Sequence, residues 1–302
     1  MAWQVALAEL DAWTAALIVV AAGIYAGALV AAGSVLFSLA FPELSQRERR
    51  TVFTTLAVAA WTCIALLLLQ WPLQAGYLGG GNLDSALDPT LLVIVFEGAA
   101  GNRLVLALAG LVLVQAILTL NRRHPVLGHL ISLAGIGLIL LAFAQVGHTT
   151  GEPRLVLSSL LALHLLAIAF WIGSLMPLYQ LAGSPSGHGH AAHILARFGQ
   201  IAAVAVGTLI LAGLALAGLL LGGIPPLIGT AYGQFLLAKL ALIALLLLLA
   251  AGNKWRLVPA FERGDRKAPG RLRRSIGAEM LMVIGILLVT ATMVTVSSPG
   301  GG

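Results

Sequence analysis

The chain has 302 residues, of which 60% are hydrophobic and only 9% are charged, and its mean hydropathy is +1.00. Soluble domains carry roughly 25% charged residues, so this composition excludes a soluble enzyme and a disordered chain. Its single cysteine, Cys63, cannot form an intramolecular disulfide, which excludes a disulfide-stapled secreted scaffold. The excess of 17 Lys and Arg over 11 Asp and Glu lies mainly between apolar runs. It therefore indicates orientation in a membrane rather than nucleic-acid binding.

Eight apolar runs are long enough to cross a hydrocarbon core, which takes about 18 residues or more. Their limits are residues 13–41, 51–77, 103–120, 126–147, 155–182, 198–222, 235–252 and 275–297. The runs lack strand alternation, and a helix satisfies its own backbone in lipid. The sequence therefore predicts an all-α fold, a polytopic membrane bundle of eight transmembrane helices that forms one domain over residues 1–302. The apolar part of segment 79–100 is too short to span, which predicts an interfacial or re-entrant segment at the outer surface.

The basic residues fall almost entirely on one side of this predicted bundle. Segments 42–50, 121–125, 183–197 and 253–274 carry three, two, one and eight Lys and Arg residues, whereas the opposite segments carry only Arg103 and Arg154. Positively charged loops stay in the cytoplasm, so both termini are predicted on the outer, periplasmic side.

The two halves of the chain, about 1–147 and 148–302, share a weak internal pattern. Gly101 and Gly233 each open a run that ends twenty residues later in an asparagine followed by a basic residue. Because each half contains an even number of spans, the pattern predicts a parallel repeat of four plus four helices. Transporters commonly place their sites at such repeat interfaces.

Two histidines are candidate metal ligands. His164 lies nine residues into the fifth run, roughly 13 Å deep at 1.5 Å per residue, and His148 ends the fourth run at the outer interface. Imidazole suits copper and zinc, and ionisable groups at this depth are usually functional. The two residues either share one ion or act in turn, with His148 as the entry site. The alternative is a neutral core histidine at position 164 that bonds to a neighbouring carbonyl.

Three further residues and one group of histidines complete the candidates. Trp171 lies seven residues after His164 on the same helix face, and Lys239 lies just below the outer end of its run. These two residues either line a cavity or, for Lys239, reach to the interface. Glu279 is expected to face Arg274 or the basic inner segment. The inner segment also contains a Gly-spaced histidine group that is either a shallow metal site or an ordinary polar loop, composed of His188, His190 and His193.

Several chemistries have no motif in the sequence. It contains no Walker phosphate loop, no Cys-x-x-Cys and no zinc-protease His-Glu pair. The sequence therefore predicts a protein that is not an enzyme and whose transport is not driven by its own ATP hydrolysis.

The second half resembles a known family through three stretches: His164-Leu165-Leu166 through Trp171-Ile172-Gly173; Gly229-Thr230-Ala231-Tyr232-Gly233 leading to Lys239; and Asn253-Lys254-Trp255-Arg256-Leu257-Val258-Pro259. These stretches are similar to the copper resistance D (CopD) family of bacterial inner-membrane proteins, over roughly residues 125–297. His148 after Gly147 also resembles a recurring family feature.

The resemblance implies an eight-span inner-membrane protein that takes up copper from the periplasm, often beside a small periplasmic copper carrier of the CopC type. Copper would then bind His148 and His164, and Trp171 and Lys239 would shape the cavity. Two alternatives stay open at this point. One is a b-type haem protein that moves electrons, with His148 and His164 as the only plausible outer axial pair. The other is an assembly factor that holds copper for an oxidase.

Overall fold

The computed structural model describes residues 10–145, 153–183, 188–221 and 224–297, except residue 122. Within these residues the chain is helical, without a strand, and eight helices are long and apolar enough to cross a membrane. The predicted all-α bundle of eight spans is therefore confirmed. Their bounds are α1 Ala12–Ala40, α2 Gln46–Leu78, α3 Ala99–Leu120, α4 Pro125–Phe143, α5 Arg154–Ala182, α6 His188–Leu221, α7 Ala231–Glu262 and α8 Ala268–Val296.

The helices extend past the apolar runs mainly where their ends carry polar residues. At the start of α2 a capping box stabilises the first turn. The Ser45 hydroxyl accepts a hydrogen bond from the backbone N–H of Glu48, and the Glu48 carboxylate accepts one from the backbone N–H of Ser45. Such caps satisfy the free N–H groups of a first turn, so a helix can begin in a charged segment. Helices α6 and α8 likewise begin ten and seven residues before the predicted spans, and α7 ends ten residues after its predicted span.

Consecutive helices alternate in direction across the bundle. We call the side on which α1 begins the acidic side, because Asp11, Asp84 and Glu97 are exposed there. The opposite side, where α1 ends, is called the basic side. It contains the segments with the concentrated Lys and Arg residues.

Helix α1 lies at the centre and joins the two halves of the chain. It packs against α2 in the first half and against α5 and α8 in the second, and one buried cluster of apolar side chains runs through both halves. Where α1 crosses α5, a Cβ atom at Gly33 would collide with the Ala169 carbonyl, and one at Gly173 would collide with the backbone of Gly33. The absence of side chains at these two glycines therefore permits the close crossing.

The segment between α2 and α3 does not cross the bundle. It forms two short helices, Leu83–Ala86 and Pro89–Glu97, and the second packs against α2 and α3. Asp88 caps the second helix, and Trp71 of α2 donates a hydrogen bond to the backbone carbonyl of Leu92 at 3.0 Å. The prediction that this segment is too short to span is confirmed.

Candidate functional site

His164 lies ten residues into α5, about 15 Å from the helix start at 1.5 Å per residue. Its ring packs against α6, where a Cβ atom added at Gly213 would be 3.4 Å from Cε1, and the backbone of Leu209 is within hydrogen-bonding reach. The ring atom Nδ1 is buried and has no hydrogen-bond partner among the described residues. The imidazole therefore keeps one free ring nitrogen inside the bundle.

Lys239 lies eight residues into α7, about 12 Å from the acidic-side end of that helix. It is partly buried and lies within electrostatic range of the His164 imidazole. The described residues place no acidic side chain within ion-pairing distance of its ammonium group. The structure therefore brings His164 and Lys239 into the same region of the second half.

Trp171 lies about 10 Å deeper along α5 than His164, seven residues further at 1.5 Å per residue. Its indole Nε1 donates a hydrogen bond of 3.3 Å to Oε2 of Glu279 on α8. The other carboxylate oxygen, Oε1, accepts a short hydrogen bond from Nδ2 of Asn253 on α7. All three side chains are buried, and Glu279 is only 4% exposed. Three helices thus enclose a polar cluster towards the basic side.

A widened helical turn begins at Asn253. Residues Asn253–Leu257 form a π-helical turn in which the backbone N–H of Val258 bonds to the carbonyl of Asn253. Pro259 follows, and its ring cannot fit against the carbonyl four residues earlier in a regular α-helix. Single π-turns in α-helices occur frequently at functional sites. Here the turn lies beside the buried carboxylate, and the Oδ1 of Asn253 has no partner within the described part of the chain.

The structure corrects the prediction for Glu279. The sequence predicts that this carboxylate faces Arg274 or the basic segment, but its observed partners are Trp171 and Asn253. The reason is the helix face: Arg274 lies five residues before Glu279, which places the two side chains about 140° apart around α8, and Glu279 points at α5 and α7. Trp171 is a candidate from the sequence, whereas Asn253 as its neighbour is not; the only signal for Asn253 is its place directly after the predicted span 235–252.

The structure also corrects the prediction of a polar loop around the histidine group. Helix α6 begins at His188, so His190 and His193 lie in its first two turns. The Nε2 of His190 is 3.1 Å from Oε2 of Glu48, and Arg197 bonds to Glu43 at 2.7 Å. Desolvation would raise the pKa of Glu43, but its own backbone N–H, Arg197 and His193 together lower it. His190 thus joins α6 to the first turn of α2, and Arg197 joins it to the α1–α2 connection.

None of the described residues forms a group of three or more His, Cys, Asp or Glu side chains placed to hold a metal ion. His148 lies outside the described residues, as does the side chain of His188. Metal binding by His148 and His164 stays a prediction.

Comparison with known proteins assigns the chain to a family. The model "Copper resistance protein D-like, N-terminal domain" matches residues 10–157, and the model "Copper resistance protein D" matches residues 192–293. The chain is also 31% identical over 245 residues to the inner membrane protein YebZ of Escherichia coli, covering 76% of this chain and 81% of that protein. The chain belongs to the copper resistance protein D family. The family resemblance noted from the sequence is thereby confirmed.

Two further relatives have names that refer to copper. The copper transport protein CutJ of Bacillus subtilis is 28% identical over 85% of this chain, which spans about half (47%) of that longer protein. Copper resistance protein D of Pseudomonas syringae pv. tomato is 26% identical over 90% of this chain and 92% of that protein. No solved structure matches the chain with significance.

The candidate site of this copper resistance protein D family member is only partly covered by the two family models. Lys239, Asn253 and Glu279 lie in the C-terminal match, whereas His164 and Trp171 lie between the two matched ranges. Helix α5 therefore contributes the site residues that neither model covers.

Proposed function

We propose that the chain transports copper ions across the bacterial inner membrane, taking them up from the periplasm. The observation that carries this proposal is the unpartnered Nδ1 of His164 inside the bundle, in a member of the copper resistance protein D family. Imidazole nitrogen is a good copper ligand, and a buried ring nitrogen without a partner is costly unless something binds it. Copper is the cargo in this proposal.

The route begins at the acidic side in the second half. His148 receives the ion, His164 carries it into the bundle, and Trp171 and Lys239 shape the cavity around it. About 10 Å deeper than His164, beside Trp171, the Glu279 carboxylate of α8 supplies negative charge and oxygen atoms that favour a passing cation. The ion then leaves towards the basic side.

The direction follows from the proposed orientation. The basic side is cytoplasmic because Lys and Arg concentrate there, so both termini and the entry site at His148 are periplasmic. The exposed Asp11, Asp84 and Glu97 give the periplasmic surface a negative charge that concentrates cations. A small periplasmic copper carrier of the CopC type would deliver the ion to this surface.

Copper uptake by the purified protein in sealed proteoliposomes tests the proposal. Wild type accumulates copper, whereas His164→Ala and His164→Gln both lose uptake, because an amide can replace a structural hydrogen bond but binds copper poorly. His129→Ala is the matched control, since the buried Nε2 of His129 also has no partner among the described residues, but this histidine lies in the first half, outside the proposed route. We expect it to keep wild-type uptake.

Three results would contradict the proposal. Retained uptake in His164→Gln with loss in His164→Ala would identify a structural histidine. A Soret band in the optical spectrum of the purified protein would indicate the haem alternative. Copper binding without any uptake by folded wild type in sealed vesicles would indicate an assembly factor that holds copper.

A further inference from the structure

The first half of the bundle contains a buried cation that the copper route does not use. Arg103 lies on α3, four residues after the helix begins, and is only 8% exposed. Its Nη2 has no hydrogen-bond partner among the described residues, and no described carboxylate lies within 4.0 Å of the guanidinium. The ring of Phe143, at 5.9 Å from Cζ, is a weak partner for a full charge. A buried charge without a counter-ion is expensive.

Arg103 lines a pocket between α2, α3 and the short helix Pro89–Glu97. Gln70 and Gln74 of α2 line the same pocket and offer amide N–H groups. Gln70 is itself buried, at 8% exposed. A second cavity lies against the other side of Arg103 and is lined largely by apolar groups such as Ile24 and Phe143. This cavity supplies no counter-charge.

The start of α3 contributes a second, independent source of positive potential. Gly98 caps this sixteen-residue helical stretch without any side-chain hydrogen bond, and Ala100 in its first turn lines the pocket. The first N–H groups of a helix lack intrahelical partners and point along the positive end of the helix dipole. Helix starts therefore favour anions, and here the uncapped start and the unpartnered guanidinium adjoin one pocket.

The size of the pocket favours a small anion. The pocket is small, so a one-atom occupant needs less rearrangement than a phosphate group or a carboxylate, each of which has at least three heavy atoms. We propose that this pocket binds one halide ion, chloride in the cell, held by Arg103, the amide of Gln70 and the start of α3.

Binding of radioactive chloride to the purified protein in a neutral detergent tests the proposal. We expect one saturable site per chain in wild type and none in Arg103→Gln. Arg103→Lys keeps the charge but loses one charge-assisted hydrogen bond, so its affinity falls about tenfold. Arg197→Gln is the matched control because Arg197 is also a helical arginine, nine residues into α6, but it pairs with Glu43. It should bind chloride as wild type does.

A stability measurement covers the case in which Arg103→Gln folds poorly. At constant ionic strength, replacing gluconate with chloride should raise the unfolding temperature of wild type along a saturable curve and leave that of Arg103→Lys much less responsive. Absence of chloride dependence in folded wild type would overturn the proposal, because water alone would then satisfy Arg103. Dependence on an anionic lipid instead of chloride would also overturn it, since a headgroup phosphate would be the occupant.

Discussion

Replacing Glu279 tests the buried cluster at the centre of the second half. In Glu279→Ala two buried donors lose their acceptor, the Nε1–H of Trp171 and the Nδ2 of Asn253. Each unsatisfied buried donor costs about 1–3 kcal/mol, so the expected loss in the free energy of unfolding is about 2–6 kcal/mol. The lower end of this range is favoured because a chain unfolded in micelles also finds polar partners.

Glu279→Gln separates the hydrogen-bonding role from the charge. The carbonyl of glutamine can accept from Trp171, and its amide can donate to Oδ1 of Asn253, which has no partner in the described structure. The Asn253 amide then turns over and its Nδ2 replaces Oδ1 as the atom without a partner, so the number of unsatisfied groups does not change and we expect stability within about 1 kcal/mol of wild type. Glu97→Ala removes an exposed carboxylate on the acidic side and should change stability by less than about 0.5 kcal/mol.

The measurement is unfolding of the purified variants in mixed micelles, followed by loss of helical circular dichroism as denaturing detergent is added. If Glu279→Gln is destabilised as much as Glu279→Ala, the observed hydrogen-bond arrangement is not what stabilises the cluster. If Glu279→Gln is as stable as wild type and loses copper uptake, the carboxylate charge is required for transport. Unchanged stability in Glu279→Ala would refute the reasoning altogether.

Three other predictions concern the rest of the bundle. Gly173→Ala should lower the free energy of unfolding by about 1–3 kcal/mol because its methyl group would collide with α1. Gly137→Ala places its methyl group in open space and should not lower the free energy of unfolding. Equal effects of the two changes would argue against the close crossing. In a Cys63→Ala background, Arg266→Cys should resist a membrane-impermeant thiol reagent in intact spheroplasts, and labelling there would reverse the proposed orientation. Most of the copper-dependent growth phenotype should survive joint replacement of the α6 histidines, since exposed ion pairs contribute about 0–1 kcal/mol; complete loss would indicate an exit site at His188, His190 and His193.

Sequence alone placed the eight spans and the non-spanning outer segment. A backbone in lipid must satisfy its own hydrogen bonds, so long apolar runs have few structural options and their positions follow from hydropathy. The same constraint makes a polar residue inside a run conspicuous, which is why His164, Trp171 and Lys239 stood out. The four-plus-four repeat and the metal role of His148 stay predictions.

Helix ends were harder to predict than spans. The Gly-spaced histidines near His190 indicated a loop, but α6 begins there and its first turn contacts another helix: Nε2 of His190 is 3.1 Å from Oε2 of Glu48 in the first turn of α2. These two residues are 142 positions apart in the chain. The local composition around a helix end does not show which distant residues contact it.

Tertiary structure decided which polar groups meet. Trp171 and Glu279 are 108 residues apart, and the helices that contain them are apolar around most of their circumference, so no polar stripe indicates which faces are in contact. The burial of Arg103 was also decided by packing. Its place near a helix start suggested a charge at the outer surface, but the short helix Pro89–Glu97 and α2 cover it. Hydropathy determined which segments enter the membrane, whereas helix packing determined which side chains face one another inside it, because lipid does not distinguish one apolar face from another.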